Sequence, residues 1–170
     1  MNYLKFSIGI FLVLSASRFL PHPPNYTAVI ALSFYIPAFL GRKYIPLIMF
    51  SFLFTDFFIG FHKLTFFTWG SVLLIGLFSV HFKKKLIMRF LGAVLAAVVF
   101  FIVTNLGVWL SGQYGYSLQG FVKCYFLALP FFNNTLTSTL ITASIIEAFL
   151  LCFSTLKFYL VKKNSLHKRS

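Results

Sequence analysis

At 170 residues, 59% hydrophobic and only 10% charged, with a mean hydropathy of +0.90, the chain is too apolar for a soluble domain, in which about a quarter of the residues are charged. Its apolar runs are continuous instead of alternating. That argues against a membrane β-barrel and for an all-α polytopic membrane protein with spans of about 20 residues. The net charge of +13 does not point to nucleic acid, because the basic residues fall in short clusters between apolar runs, as in "GRK", "HFKKKLIMR" and "VKKNSLHKRS". This is the pattern of cytoplasmic loops beside anionic lipid.

Six spans are predicted, at 3–20, 26–40, 44–61, 65–81, 88–110 and 135–160. The first begins like a signal peptide, with Lys5, "FSIGIFLVL" and the small residues "SAS", but is read here as a retained span. The stiff polar loop "SRFLPHPPNYTAV" (17–29) follows and carries Arg18, His22 and Asn25; Asn25-Tyr26-Thr27 also matches a glycosylation sequon. The third span holds Asp56 about one turn from its end, and the next loop holds His62. The fifth span ends in Thr104, Asn105 and Trp109.

The long loop after the fifth span carries Tyr114, Tyr116, Cys124, Asn133 and Asn134. Within it, "GFVKCYFLALPFF" (120–132) is too short to span, contains Lys123 and runs into Pro130. It is predicted to be a short interfacial or re-entrant helix before the last span. The last span opens on "NNTLTSTLITAS" and holds Glu147 near its middle. Residues 1–162 read as one transmembrane domain and 163–170 as a basic cytoplasmic tail.

The charges choose the orientation. With the N-terminus inside, 12 Lys and Arg face the cytoplasm and only Arg18, Lys63 and Lys123 face outward. The positive-inside rule therefore places both termini in the cytoplasm. The distinctive polar residues then gather at the outer face, while the inner loops offer little besides Lys and Arg.

Each of these residues has a plain reading. Trp109, Tyr114 and Tyr116 suit an interfacial aromatic belt, Asn105 a helix cap, and Cys124 an inert buried thiol. Asp56 and Glu147 are the only acids in the chain. An acid inside a span needs a partner or a cavity. For Asp56 the candidates are Arg18, Lys63 or a His; for Glu147 a packing or gating role stands beside a functional one. There is no HExxH, GxSxG or P-loop motif, and the two cysteines, Cys124 and Cys152, have no CxxC spacing. Catalytic residues, a metal site and a cofactor are not expected.

Four stretches, "RFLPHPPNYTAVIAL" (18–32), "DFFIGFH" (56–62), "FFIVTNLGVWL" (100–110) and "GFVKCYFLALPFFNNTL" (120–136), together resemble a bacterial membrane family known only as a domain of unknown function. That family is similar to the substrate-binding S components of energy-coupling factor (ECF) transporters. The chain departs from the pattern at Ala28, where such sequences more often carry Pro. The resemblance implies an S-component-like bundle that captures a micronutrient, such as a vitamin or its precursor, and then joins a membrane coupling subunit and ATPases.

On this reading an outer pocket is formed by Arg18, His22, Asn25, Asp56, His62, Asn105, Trp109, Tyr114, Tyr116, Cys124, Phe131 and Asn133. Its aromatic side chains, Phe132 included, suit a ring-containing small molecule. His22, His62 or Cys124 could coordinate a metal-containing ligand such as a cobalamin. Docking to a partner would use small residues: Ser7, Ser15 and Ala16 on the first span, or Gly92, Ala93, Ala96 and Ala97 on the fifth. Two other classes stay open. One is a membrane-embedded enzyme acting on a lipid-like substrate, with Asp56 and His62 as acid–base groups. The other is an accessory subunit of a membrane complex.

Overall fold

The computed structural model describes residues 3–83 and 85–167, and side chains for residues 4–83 and 85–156. Lys84, Lys168 and Arg169 lie outside the described residues, as do the side chains of Lys157, Lys162 and Lys163 and those of the expected basic tail. Among the described residues the fold is entirely helical. It comprises α1 (Tyr3–Phe19), α2 (Val29–Leu40), α3 (Ile45–Ile59), α4 (Thr65–Ser79), α5 (Leu86–Leu110), α6 (Leu118–Leu127) and α7 (Leu129–His167), with 3₁₀ turns at Arg42–Tyr44 and Val80–Phe82.

Prolines and glycines set the boundaries. α1 stops at Phe19 because Leu20 precedes Pro21, and a residue before proline is driven out of the helical region. In the loop that follows, Tyr26 N–H bonds to the Pro23 carbonyl at 3.0 Å. Asn25 occupies φ +61° there, a left-handed conformation that Asn tolerates and that position three of a type II turn requires. α2 therefore begins at Val29, three residues later than the expected start. α3 closes on Gly60 at φ +108°, with Gly60 N–H bonded to the Asp56 carbonyl at 2.8 Å.

The largest boundary correction is at α7. It begins at Leu129, not near 135, and Pro130 sits in its first turn instead of ending the preceding helix. The first helical N–H groups have no intrahelical acceptor, so a residue lacking one costs nothing there. α6 consequently ends at Leu127, and Ala128 alone separates the two helices. At 39 residues, α7 is roughly 58 Å long at 1.5 Å per residue.

Three helices are long and apolar enough to cross a membrane: Thr65–Phe82, Leu86–Leu110 and Leu129–Leu156. The others are shorter. α1 has 17 residues, α3 has 15 and α2 has 12, against the ~20 that a ~30 Å hydrocarbon core requires.

α2 runs through the middle. It packs against α4, α5 and α7 and touches α1 and α3, which pair with each other. Most of its side chains are buried, with Ala31, Ser33 and Phe34 fully so. α5 meets α2 largely through small residues. A Cβ at Gly92 would stand 2.4 Å from the Phe34 ring, and Ala93, Ala96 and Ala97 are wholly buried. This corrects the expectation that Gly92, Ala93, Ala96 and Ala97 form an outward docking face: they are what lets two helices approach inside the bundle. On α1, Ser15 is also buried and Ala16 is exposed. The loops 20–28, 60–64 and 111–117 lie at one end of the bundle, and 41–44 and 80–83 at the other.

Candidate functional site

At the end that carries the loops 20–28, 60–64 and 111–117, the helices part around a cavity of about 530 Å³. All seven helices contribute. Arg18 comes from α1, Val29 and Ile30 from α2, Phe52 from α3, Thr68 from α4, Thr104 and Asn105 from α5, Cys124 from α6 and Thr135 from α7. The loops add His22, Asn25, His62 and Tyr114. Of the residues singled out from sequence, the structure thus brings together Arg18, His22, Asn25, His62, Asn105, Tyr114, Cys124 and Phe131. Phe132, named there for its ring, joins them.

Asp56, Trp109, Tyr116 and Asn133 do not line the cavity. Trp109 turns toward α6, with its ring 5.5 Å from that of Phe121 and 6.3 Å from that of Tyr116. Tyr116 itself is largely exposed and folds over Gly112. Asn133 is exposed on α7. Its neighbour Asn134 makes the useful contact, donating to the Pro24 carbonyl at 3.0 Å and tying the Pro-rich loop to α7.

Asp56 is buried behind the cavity wall, 1% exposed. Arg18 Nη2 meets its Oδ1 at 2.5 Å, and the indole Nε1 of Trp69 donates to its Oδ2 at 2.7 Å. Arg18 Nη1 also donates to Thr55 Oγ1 at 2.6 Å, and the guanidinium lies 4.6 Å from the centre of the Phe52 ring. The expected Arg18–Asp56 pair is made, and with Trp69 it clamps α1, α3 and α4. Thr55 and Trp69 were missed from sequence. Trp69 had a signal: a buried indole N–H within an apolar helix usually finds an acceptor.

Asp56 and His62 do not meet as an acid–base pair. His62 Nδ1 accepts from Leu64 N–H at 3.1 Å, and both Asp56 oxygens are engaged elsewhere. Among the described residues no three of His, Cys, Asp and Glu come together as metal ligands. Cys124 is buried with its thiol 3.5 Å from the Asn105 carbonyl. Burial pushes that thiol up from its ordinary value.

The second acid is placed at the opposite end. Arg89 holds Glu147 through two bonds, Nε to Oε1 at 2.5 Å and Nη2 to Oε2 at 2.6 Å. Tyr35 donates its hydroxyl to Oε1 at 3.0 Å. This clamp joins α2, α5 and α7. Because α7 starts at Leu129, Glu147 lies about 27 Å along it by the 1.5 Å rise.

No curated protein and no solved structure matches the chain. A family model, described as a family of unknown function (DUF6580), matches residues 2–160, and the chain belongs to that family.

Proposed function

We propose that the chain is a multi-pass protein of the bacterial cytoplasmic membrane, with α1–α5 and α7 as six spans and both termini inside, that binds a small molecule in an outward-facing cavity for uptake. Membranes accommodate short spans by thinning and by flanking residues that reach the interface. The observation that carries the reading is the cavity itself. Its volume of about 530 Å³ is that of a small-molecule site, and its lining mixes aromatic walls with a few polar groups. In lipid, polar side chains at this depth are tolerated where they face such a space.

Orientation follows from charge. The cavity end carries Arg18, Lys63 and Lys123, whereas Lys5, Arg42, Lys43, Lys83, Lys85 and Arg89 lie toward the other end. The resemblance to S components of ECF transporters supports capture of a vitamin-like micronutrient and delivery to a coupling subunit with ATPases.

The test is to extract the protein from cells and identify what it carries by mass spectrometry, beside a variant whose cavity is filled by Thr104→Trp. A small molecule recovered with the wild type and absent from the filled variant supports a binding protein. Recovery of the same molecules from both overturns it.

A further inference from the structure

The chemistry of the cavity lining narrows the class of ligand, an inference that rests on the binding reading above. Its one charged side chain is Arg18, and that charge is balanced before any ligand arrives. Both terminal nitrogens are engaged, Nη2 with Asp56 and Nη1 with Thr55. No acidic side chain lines the space. A charged ligand would sit among Phe52, Phe100, Phe101, Phe131 and Phe132 without a counter-charge, and an unpaired charge in apolar surroundings is strongly disfavoured.

On the α5 and α7 side, three protons of the lining are committed as well. Thr104 donates its hydroxyl to the Phe100 carbonyl at 2.7 Å and Thr135 to that of Phe131 at 3.0 Å. Asn105 Nδ2 donates to the Phe101 carbonyl at 2.8 Å. With those protons turned into their own helices, the Thr104 and Thr135 hydroxyls offer only lone pairs, while Asn105 offers its Oδ1 beside its second Nδ2 proton. The α5 and α7 side of the cavity is therefore an accepting edge between aromatic rings. His62, also on the lining, offers a donor: its Nδ1 accepts from Leu64 N–H, so the proton of the neutral ring resides on Nε2.

We propose that the cavity binds an uncharged planar heterocycle whose ring N–H or amino groups meet the accepting edge of Thr104, Asn105 and Thr135. Carboxylates and permanent cations of the same shape are excluded by the balanced Arg18 and the acid-free walls. A heterocycle with its donors blocked loses the accepting edge and retains only the stacking.

Full-length protein in lipid nanodiscs, titrated by fluorescence, tests this with four tricyclic probes of similar size: alloxazine, 1,3-dimethylalloxazine, an alloxazine carboxylate and 10-methylacridinium. Alloxazine is expected to bind at least about 100-fold more tightly than the carboxylate or the cation. Methylation of its N–H groups should weaken it about 3- to 10-fold per lost hydrogen bond. Thr104→Val and Thr135→Val keep the shape and remove the acceptor, and should narrow the gap between alloxazine and its dimethyl derivative. Equal or tighter binding of a charged probe overturns the proposal, as does indifference to methylation or failure of all four to bind. Recovery of a charged compound from cells would leave the binding reading standing and overturn this one alone.

Discussion

Arg18 on α1 and Asp56 on α3 meet at 2.5 Å just behind the cavity wall, one member facing the cavity and the other almost wholly buried. The pair is therefore both a brace and part of a binding surface. It fixes the end of α1 to α3, and so fixes where the Pro-rich loop begins.

Breaking this pair should be costly and non-additive. Asp56→Asn and Arg18→Gln each leave a buried or half-buried charge unmatched, with an expected loss of about 3–5 kcal/mol. The double variant should be less impaired than the sum of the singles, read by thermal unfolding in detergent. Trp69→Phe removes one bond to the same carboxylate and should cost about 1.5–3 kcal/mol. Strict additivity of Arg18→Gln and Asp56→Asn would show that the two are not coupled.

The Glu147 clamp makes a different prediction. Arg89 holds both carboxylate oxygens, so Glu147→Leu strands a guanidinium and Arg89→Met strands a carboxylate. The paired apolar variant strands neither and should be more stable than either single. Tyr35→Phe removes only the 3.0 Å hydroxyl bond and should lose about 1 kcal/mol. Unfolding midpoints in that order would support the clamp; a double variant worse than both singles would count against it.

Gly120 fixes the loop that carries Tyr114. A Cβ there would stand 2.2 Å from the Tyr114 carbonyl and 2.6 Å from that of Gly115, both backbone atoms that cannot turn aside. Gly120→Ala should therefore displace the loop, cost about 1–3 kcal/mol of stability and weaken whatever ligand Tyr114 helps to enclose. Gly9→Ala is the control, because nothing lies within 4 Å of that position. It should be neutral or stabilising by up to about 1 kcal/mol. Equal effects of the two substitutions would contradict the packing described.

Topology can be read by labelling. In a Cys152→Ser background, single cysteines at Asn25, His62 or Tyr114 should react with an impermeant maleimide added to intact cells, and cysteines at Arg42 or Lys85 should not. The remaining Cys124 is buried and should react slowly, more slowly still with ligand bound. Labelling at Lys85 from outside would reverse the orientation and place the cavity on the cytoplasmic side.

The helices were legible because the apolar runs are punctuated by Pro21, Gly41, Gly60 and Gly112, each of which ends an element or shapes a turn. The Arg18–Asp56 pair was legible for a similar reason: few charges share that depth, so few pairings exist. The start of α7 was misread because Pro130 resembles a stop signal although it also suits a first turn. Arg89 looked like one more member of the Lys-rich cluster, so its pairing with Glu147 went unseen. Asn133 and Asn134 are adjacent and chemically alike, so only the register of α7 decides which of them reaches the Pro24 carbonyl.

Both acidic side chains of the chain are engaged inside the bundle, each with an arginine. These two pairs cancel, so the net charge of +13 belongs to the remaining basic residues, with no carboxylate side chain left to offset them. Two copies approaching within a Debye length, about 8 Å at physiological ionic strength, would repel one another at their basic ends. Copies in a bilayer would therefore space themselves apart, drawing anionic lipids around them and clustering more readily as salt is raised.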